Sequence, residues 1–185
     1  MEHRLPSYNA RRHFLAAGLS VLGCAAAGGA AAVPLQAGRR GIAFHNLHTG
    51  ESADLTYWAD GAYVPDALAR IDHLLRDFRT GETHPIDRRL LDLLVQLNSR
   101  LESNEPFQVI SGSRSPATNA MLASSSEGVA RRSLHMDGLA IDIRVANRPL
   151  AALHKAALDL RGGGVGYYPA SDFVHVDVGR VRNWG

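Results

Sequence analysis

Ser133-Leu134-His135-Met136-Asp137-Gly138-Leu139-Ala140-Ile141-Asp142-Ile143-Arg144-Val145 settles into a two-residue rhythm half-way along. From Leu139 onward, Leu139, Ile141, Ile143 and Val145 fall on one face of an extended chain, and Ala140, Asp142 and Arg144 on the other. Phe173-Val174-His175-Val176-Asp177-Val178 repeats the pattern: its three valines share one face, while Phe173, His175 and Asp177 share the other. Two strands, each apolar on one side and carrying ionisable groups on the other, call for a layer of helices over the apolar side.

Moving outward, the chain supplies that layer. Asp66–Phe78 places Leu68, Ile71, Leu74, Leu75 and Phe78 at helical spacing, and Asp87–Leu101 does the same with Leu90, Leu91, Leu94, Leu97 and Leu101. A third helix opens at Pro116 behind a Ser115 cap, where the missing proline N–H costs nothing. A fourth runs from near Pro149 and ends before Gly162-Gly163-Gly164. Strand-like runs near 41–48 and 52–58, joined at Thr49-Gly50, read as a β-hairpin, and Phe107–Ile110 as a short strand. Further strands are expected at roughly 163–168 and 173–178. The chain lacks repeats, and the sum is an α+β fold: a small, mostly antiparallel sheet with flanking helices.

The 185 residues suit one domain and a leader. Arg11-Arg12-His13-Phe14-Leu15 followed by an apolar, small-residue run to Val33 describes a twin-arginine signal peptide over 1–32. Gly18, Gly23, Gly28 and Gly29 interrupt that run and argue against a stable membrane span in the mature form. Ala30-Ala31-Ala32 is a small-residue cleavage site, while Cys24 in Val21-Leu22-Gly23-Cys24 offers lipoprotein anchoring as the alternative. Residues 33–40 read as a linker, and 41–185 as the folded domain. Past residue 32 there is no cysteine, so a metal site must use nitrogen and oxygen ligands. The chain carries 20 basic and 18 acidic residues; Arg4, Arg11, Arg12 and Glu2 leave with the leader, and the remainder is neutral. That balance gives no basic face for nucleic acid.

His135, Asp142 and His175 are the residues with chemistry to offer. Two imidazoles and a carboxylate form the ligand set of a catalytic zinc with one open position. Water in that position is acidified toward neutral pH, which makes a hydrolase. Asp142 and His175 project from the polar faces of their strands, and His135 sits in a loop near Gly138, within reach of Asp142. A lone histidine is most often structural; spacing by itself leaves the metal reading and the structural one both open.

Ser111-Gly112-Ser113-Arg114-Ser115-Pro116, Ser133-x-His135-x-x-Gly138-x-Ala140-x-Asp142, Gly163-Gly164-Val165-Gly166-Tyr167-Tyr168-Pro169 and Phe173–Asp177 together resemble the M15 zinc peptidases. Phe44-His45-Asn46-Leu47-His48-Thr49-Gly50-Glu51 and Arg182-Asn183-Trp184 narrow the resemblance to the murein endopeptidase K branch. The resemblance covers about 41–185. It implies a periplasmic enzyme cutting peptide cross-links of peptidoglycan stem peptides, with the fold shared by Hedgehog and D-Ala-D-Ala peptidases. It also implies one Zn2+ per chain on His135, Asp142 and His175.

By the same resemblance, Arg114 binds the substrate or polarises its scissile carbonyl; the plainer role is bracing the loop after Ile110. An acid three residues before the last histidine serves relatives as general base, which here is Asp172. Strict alternation opposes it, because Asp172 falls on the side away from His175. Asp177 shares a face with His175 and is expected to orient that imidazole. Tyr167, Tyr168 and Trp184 are candidates for a wall of the substrate groove, or for the core. His73 and His154 are expected at the surface. Two rival functions stay open: a peptidoglycan-binding module that holds peptide without cutting, and a D,D- or L,D-carboxypeptidase. Export of a domain already folded around its metal suits the twin-arginine machinery.

Overall fold

A computed structural model describes Met1 and residues 38–125 and 130–185. The expected signal peptide, Cys24 and the linker up to residue 37 otherwise lie outside the described residues.

Eight strands form one sheet. In chain order they are β1 (Arg39–Asn46), β2 (Ser52–Ala59), β3 (Ala62–Tyr63), β4 (Phe107–Ser111), β5 (Ala140–Val145), β6 (Gly164–Tyr168), β7 (Phe173–Asp177) and β8 (Arg182–Trp184). Their order across the sheet is β3-β2-β1-β4-β5-β7-β6-β8. All neighbours are antiparallel except β1 with β4 and β6 with β8. The helices are α1 (Pro65–Leu74), α2 (Arg88–Arg100), α3 (Pro116–Ser125) and α4 (Leu150–Leu160). The fold is α+β.

The two-residue rhythm divides the sheet into two faces as the sequence implies. Ile141, Ile143, Val174, Val176 and Val165 are buried on the helix side with Phe44, Phe107 and Val109. There α2 contributes Leu90, Leu91, Leu94 and Leu97, each fully buried, and α4 packs on β5, β6 and β7. Helix α2 starts where Asp87 accepts a bond from the Arg89 backbone N–H at 2.8 Å. In the same way Ser115 Oγ accepts from Thr118 N at 3.1 Å and opens α3.

Besides the short strand β3, which the pattern did not foretell, three features differ from expectation. Strand β1 begins at Arg39, two residues before the expected strand start near 41. Helix α1 stops at Leu74 rather than Phe78 because its last carbonyls are taken by other elements. Leu74 O accepts from Asn46 Nδ2 at 2.9 Å, and Leu75 O accepts from Ser113 N at 2.8 Å and Ser113 Oγ at 3.0 Å. Phe78 instead stacks on His48, with 3.7 Å between ring centroids. The third difference is β8, a strand that short-range patterning does not reveal; it exists by pairing with β6.

The bare face of the sheet positions the site. Asp142 on β5 lies opposite His175 on β7, and Gly166 on β6 lies opposite the same histidine. An irregularity between Val109 and Ser111 brings Ser111 level with Asp142, a common use of a bulge beside a functional site.

Candidate metal centre

His135 comes from outside the sheet. It sits in a single 3-10 turn, Leu134–Asp137, where Ser133 Oγ accepts from its backbone N–H. Gly138 closes the turn at φ 65°, and a Cβ there would come within 2.1 Å of Pro85 O, so the position admits only glycine. The turn is tied to the loop after β4 by Arg114 N donating to His135 O at 3.1 Å.

Three side-chain atoms converge. His135 Nε2 lies 3.2 Å from Asp142 Oδ1 and 3.2 Å from His175 Nδ1, and His175 Nδ1 lies 2.9 Å from Asp142 Oδ1. All three residues are buried. Ligands about 2.0–2.1 Å from a tetrahedral zinc stand roughly 3.4 Å apart, so this triangle is close to one face of such a tetrahedron.

The protons argue more strongly than the distances. His135 Nδ1 is 2.7 Å from Gly112 O, a group that only accepts, so Nδ1 carries the hydrogen and Nε2 is a bare lone pair. His175 Nε2 is 3.1 Å from Asp177 Oδ2, which takes its hydrogen, so in the neutral imidazole Nδ1 is the lone pair. With both imidazoles neutral, two lone pairs and a carboxylate oxygen therefore face one another. A cation completes that arrangement, and nitrogen-and-oxygen donors of this kind suit a divalent transition metal. His135, Asp142 and His175 form a group able to hold a metal ion.

The chain belongs to a known family on comparison with other proteins. The sequence profile of the Peptidase M15_2 family, described as peptidoglycan L,D-endopeptidase MepK, matches residues 35–184. This chain is a member of that family. It is 42% identical over 175 residues to the peptidoglycan L,D-endopeptidase MepK of Escherichia coli K12, covering 94% of this chain and 96% of that protein. The same figures hold for the protein of that name in Shigella flexneri. A probable peptidoglycan L,D-endopeptidase MepK of Haemophilus influenzae is 42% identical over 144 residues, 77% of each chain. In this M15 peptidase the surroundings of the three donors are equally specific.

Asp142 offers one oxygen to the centre because the other is held. The Arg114 guanidinium bonds Asp142 Oδ2 and, through Nε, Ser111 Oγ at 2.9 Å. Burial pushes the Asp142 carboxyl up, but His135 and His175 outweigh it and hold the group well below the usual carboxylate range. Burial lowers the pKa of His135. For His175 burial also works against the charge, yet bonds to Asp142 and Asp177 prevail and raise its pKa. Arg114 thus occupies the bracing place and lines the cleft as well.

Asp177 is fully buried and saturated. Gly164 N at 2.9 Å, Gly179 N at 2.8 Å and Arg182 Nη1 at 3.2 Å reach Oδ1; Arg182 Nη2 at 2.8 Å and His175 Nε2 reach Oδ2. It orients His175 and has no free lone pair for a catalytic proton. Burial pushes the carboxyl up, but these bonds overcome it and hold the pKa well below the ordinary range.

Two expected residues are placed elsewhere. Asp172 does not line the cleft: it ends a 3-10 turn at φ 54°, and its carboxylate pairs with Arg144, whose Nε also bonds Gln108. Tyr167 pairs with Val174 on the helix side of the sheet and stacks on His154, with centroids 4.5 Å apart. The alternation along β6 makes the difference, since it sends Tyr167 inward and Tyr168 outward. His154 is accordingly half-buried against that ring rather than on open surface.

Tyr168 and Trp184 do line the cleft, which has a volume of about 400 Å³. Trp184 lies across Gly166, where a Cβ would come within 2.7 Å of the indole. Its ring centroid is 5.2 Å from that of His175, and its Nε1–H donates to the Tyr168 hydroxyl at 2.8 Å. Sequence reasoning missed the Gly112 carbonyl as the partner of His135 and Arg182 as the clamp on Asp177. Gly112 was visible only as a glycine within a motif; its role follows from Leu75 O, 2.2 Å from where a Cβ would sit. Arg132 was missed too, and it joins Arg114 and Arg182 in the cleft wall.

Proposed function

We propose that this chain is a zinc-dependent endopeptidase that hydrolyses peptide cross-links of peptidoglycan, at the L,D bond named for its relatives. The observation that carries the proposal is the meeting of two imidazole lone pairs and one carboxylate oxygen, each fixed by a partner on its far side. His135, Asp142 and His175 would hold the ion, with Gly112, Arg114 and Asp177 setting the direction of each donor. Bound there, zinc would supply Lewis acidity toward the scissile carbonyl and an acidified water.

The chain's own residues do the rest. Asp177 holds the proton of His175 on Nε2, and Gly112 holds that of His135 on Nδ1, so both imidazoles stay in the ligating tautomer. Tyr168 and Trp184 wall the cleft where the peptide lies. Asp172, expected as proton acceptor, is engaged by Arg144 outside the cleft and has no part in this reading.

An L,D bond joins an acyl group on an L centre to an amine on a D centre. Of the two cross-links the sequence leaves open, diaminopimelate to diaminopimelate fits that description and D-Ala to diaminopimelate does not. The fold assignment to the Hedgehog and D-Ala-D-Ala peptidase architecture belongs to the same proposal, supported by family membership and by ligands on adjacent antiparallel strands. So do the signal peptide, twin-arginine export and a periplasmic location, supported by Arg11-Arg12 and by the substrate of the relatives. Among the described residues no helix is long and apolar enough to cross a membrane.

The test is digestion of purified cross-linked muropeptide dimers, read by mass, with Zn2+ and with chelator. Cleavage of diaminopimelate-linked dimers that vanishes with chelator and returns with Zn2+ is the expected result. Folded, zinc-loaded protein that leaves every dimer intact refutes the endopeptidase and favours a module that only binds wall peptide.

A further inference from the structure

Hydrolysis of an amide puts negative charge on the carbonyl oxygen, and a fixed hydrogen-bond donor aimed at that oxygen lowers the barrier. Arg114 lines the cleft and gives two of its N–H groups to Asp142 and Ser111, which fix its guanidinium beside the metal donors. Among the described residues the cleft contains no acid besides Asp142.

From these placements we infer that the Tyr168 hydroxyl donates a hydrogen bond to the carbonyl oxygen of the scissile amide as its charge develops. The indole Nε1 of Trp184 is a donor only, so the phenolic oxygen must accept from it, and the phenol's own proton is left over. Among the described residues no other group bonds that hydroxyl. The ring cannot easily turn away. It stacks on Phe173 with centroids 4.6 Å apart, and Trp184, the group holding its oxygen, is itself wedged between Gly166 and the ring of His175. Tyr168 stands on the same sheet face as His175 and lines the same cleft as all three donors. An accepted bond from the indole also makes the phenol a better donor, because hydrogen bonds in a chain polarise one another.

No covalent bond to Tyr168 forms in this step. Water adds to the carbonyl carbon, the C–N bond breaks and the amine leaves with a proton. Tyr168 keeps its own proton throughout and only shares it with the oxygen. The inference rests on the endopeptidase reading above.

The experiment compares the full chain with its Tyr168→Phe variant, both loaded with Zn2+, on diaminopimelate-linked muropeptide dimers. Loss of one such donor lowers kcat by roughly 100-fold in enzymes that use an oxyanion site. Tyr168→Phe is expected to lose about that factor in kcat, with KM and zinc content unchanged. Calorimetric binding of a phosphinate isostere of the cleaved bond, whose charged oxygens imitate the tetrahedral state, is expected to weaken by a similar factor. Affinity for the product tetrapeptide is expected to stay the same. A kcat within threefold of the parent overturns the inference and leaves the endopeptidase standing. A rise in KM alone overturns it as well, since Tyr168 is then only a wall. Loss of zinc from the variant overturns it in favour of a structural role. A parent chain that cleaves nothing overturns both readings.

Discussion

Replacing Asp177 by Asn keeps the shape of the side chain and removes its charge, and the five bonds it accepts fix the consequence. Gly164 N, Gly179 N and Arg182 Nη1 converge on Oδ1; His175 Nε2 and Arg182 Nη2 converge on Oδ2. An amide has one accepting end. If its oxygen faces the two backbone N–H groups, its NH2 faces the hydrogen of His175 Nε2 and the guanidinium. If it is turned over, NH2 meets two backbone donors that cannot move. The first orientation is the cheaper, and His175 relieves it by moving its proton to Nδ1, the nitrogen that faces His135 and Asp142. The ligating lone pair is then lost. Outer partners of metal-bound histidines contribute about 10–100-fold in affinity, or roughly 1.4–2.7 kcal/mol. Zinc affinity of Asp177→Asn, measured by competition with a chromophoric chelator at neutral pH, is expected to fall by that range. Circular dichroism and a melt in chelator establish that the fold remains. An intact variant that binds Zn2+ within threefold of the parent refutes the argument that Asp177 sets the tautomer of His175.

Two other expectations follow from buried or paired carboxylates. Asp77 is buried; desolvation pushes its carboxyl up, but bonds from Thr118, Ser115 and Arg79 outweigh it and bring the pKa from 3.8 to about 2. A folded-state pKa below the unfolded value gives stability that is whole above 3.8 and lost as pH falls through about 2, here about 2 kcal/mol. The urea midpoints of the parent and of Asp77→Asn, followed from pH 6 to pH 2, are therefore expected to converge at the acid end; a constant gap contradicts the linkage. Asp172→Asn is expected to keep kcat on muropeptide dimers within about threefold, because Arg144 holds that carboxylate outside the cleft, whereas a residue acting as general base contributes about 100-fold or more.

The donors were legible because strands have a period of two. That rule alone sends Asp142 and His175 away from the valines and isoleucines beside them, and β5 and β7 then need only pair in register to bring them together. The same rule separates Tyr168 from Tyr167, although applying it there requires knowing where β6 begins; Asp172 lies outside its reach, in the turn before β7. Helix α2 was equally legible from its leucines, and α4 from Pro149 at its start and the glycines after its end. What escaped is set by contacts between distant parts of the chain. Helix α1 ends early because Asn46 and Ser113 take its carbonyls, and neither lies near it in sequence. Strand β8 exists by pairing with β6, and Arg182 reaches Asp177 only because that strand lies beside the final hairpin. Arg114 carried two readings because a guanidinium suits a substrate or a carboxylate equally well; the approach of β4 to Asp142 through its bulge decides the resting contact.

Each donor is held by a partner on its far side, and this explains why the centre sits where it does. His135 is fixed by Gly112 on the loop after β4, Asp142 by Arg114 on that same loop, and His175 by Asp177 further along β7. Asp177 is in turn clamped by Arg182 at the start of β8 and by Gly164 at the start of β6. The loop of His135, the bulge of β4 and the edge strand β8 must all be docked before three lone pairs can meet. With both imidazoles neutral, bringing them together without a cation places unpaired acceptors in a buried site, which is costly, and a bound ion would offset that cost. Metal binding is therefore expected to stabilise the docked arrangement of these three segments. The glycines at 112, 138, 164 and 166 mark the places where docking leaves no room for a Cβ. The sheet and its helices supply the scaffold independently, since their apolar core lies wholly on the opposite face.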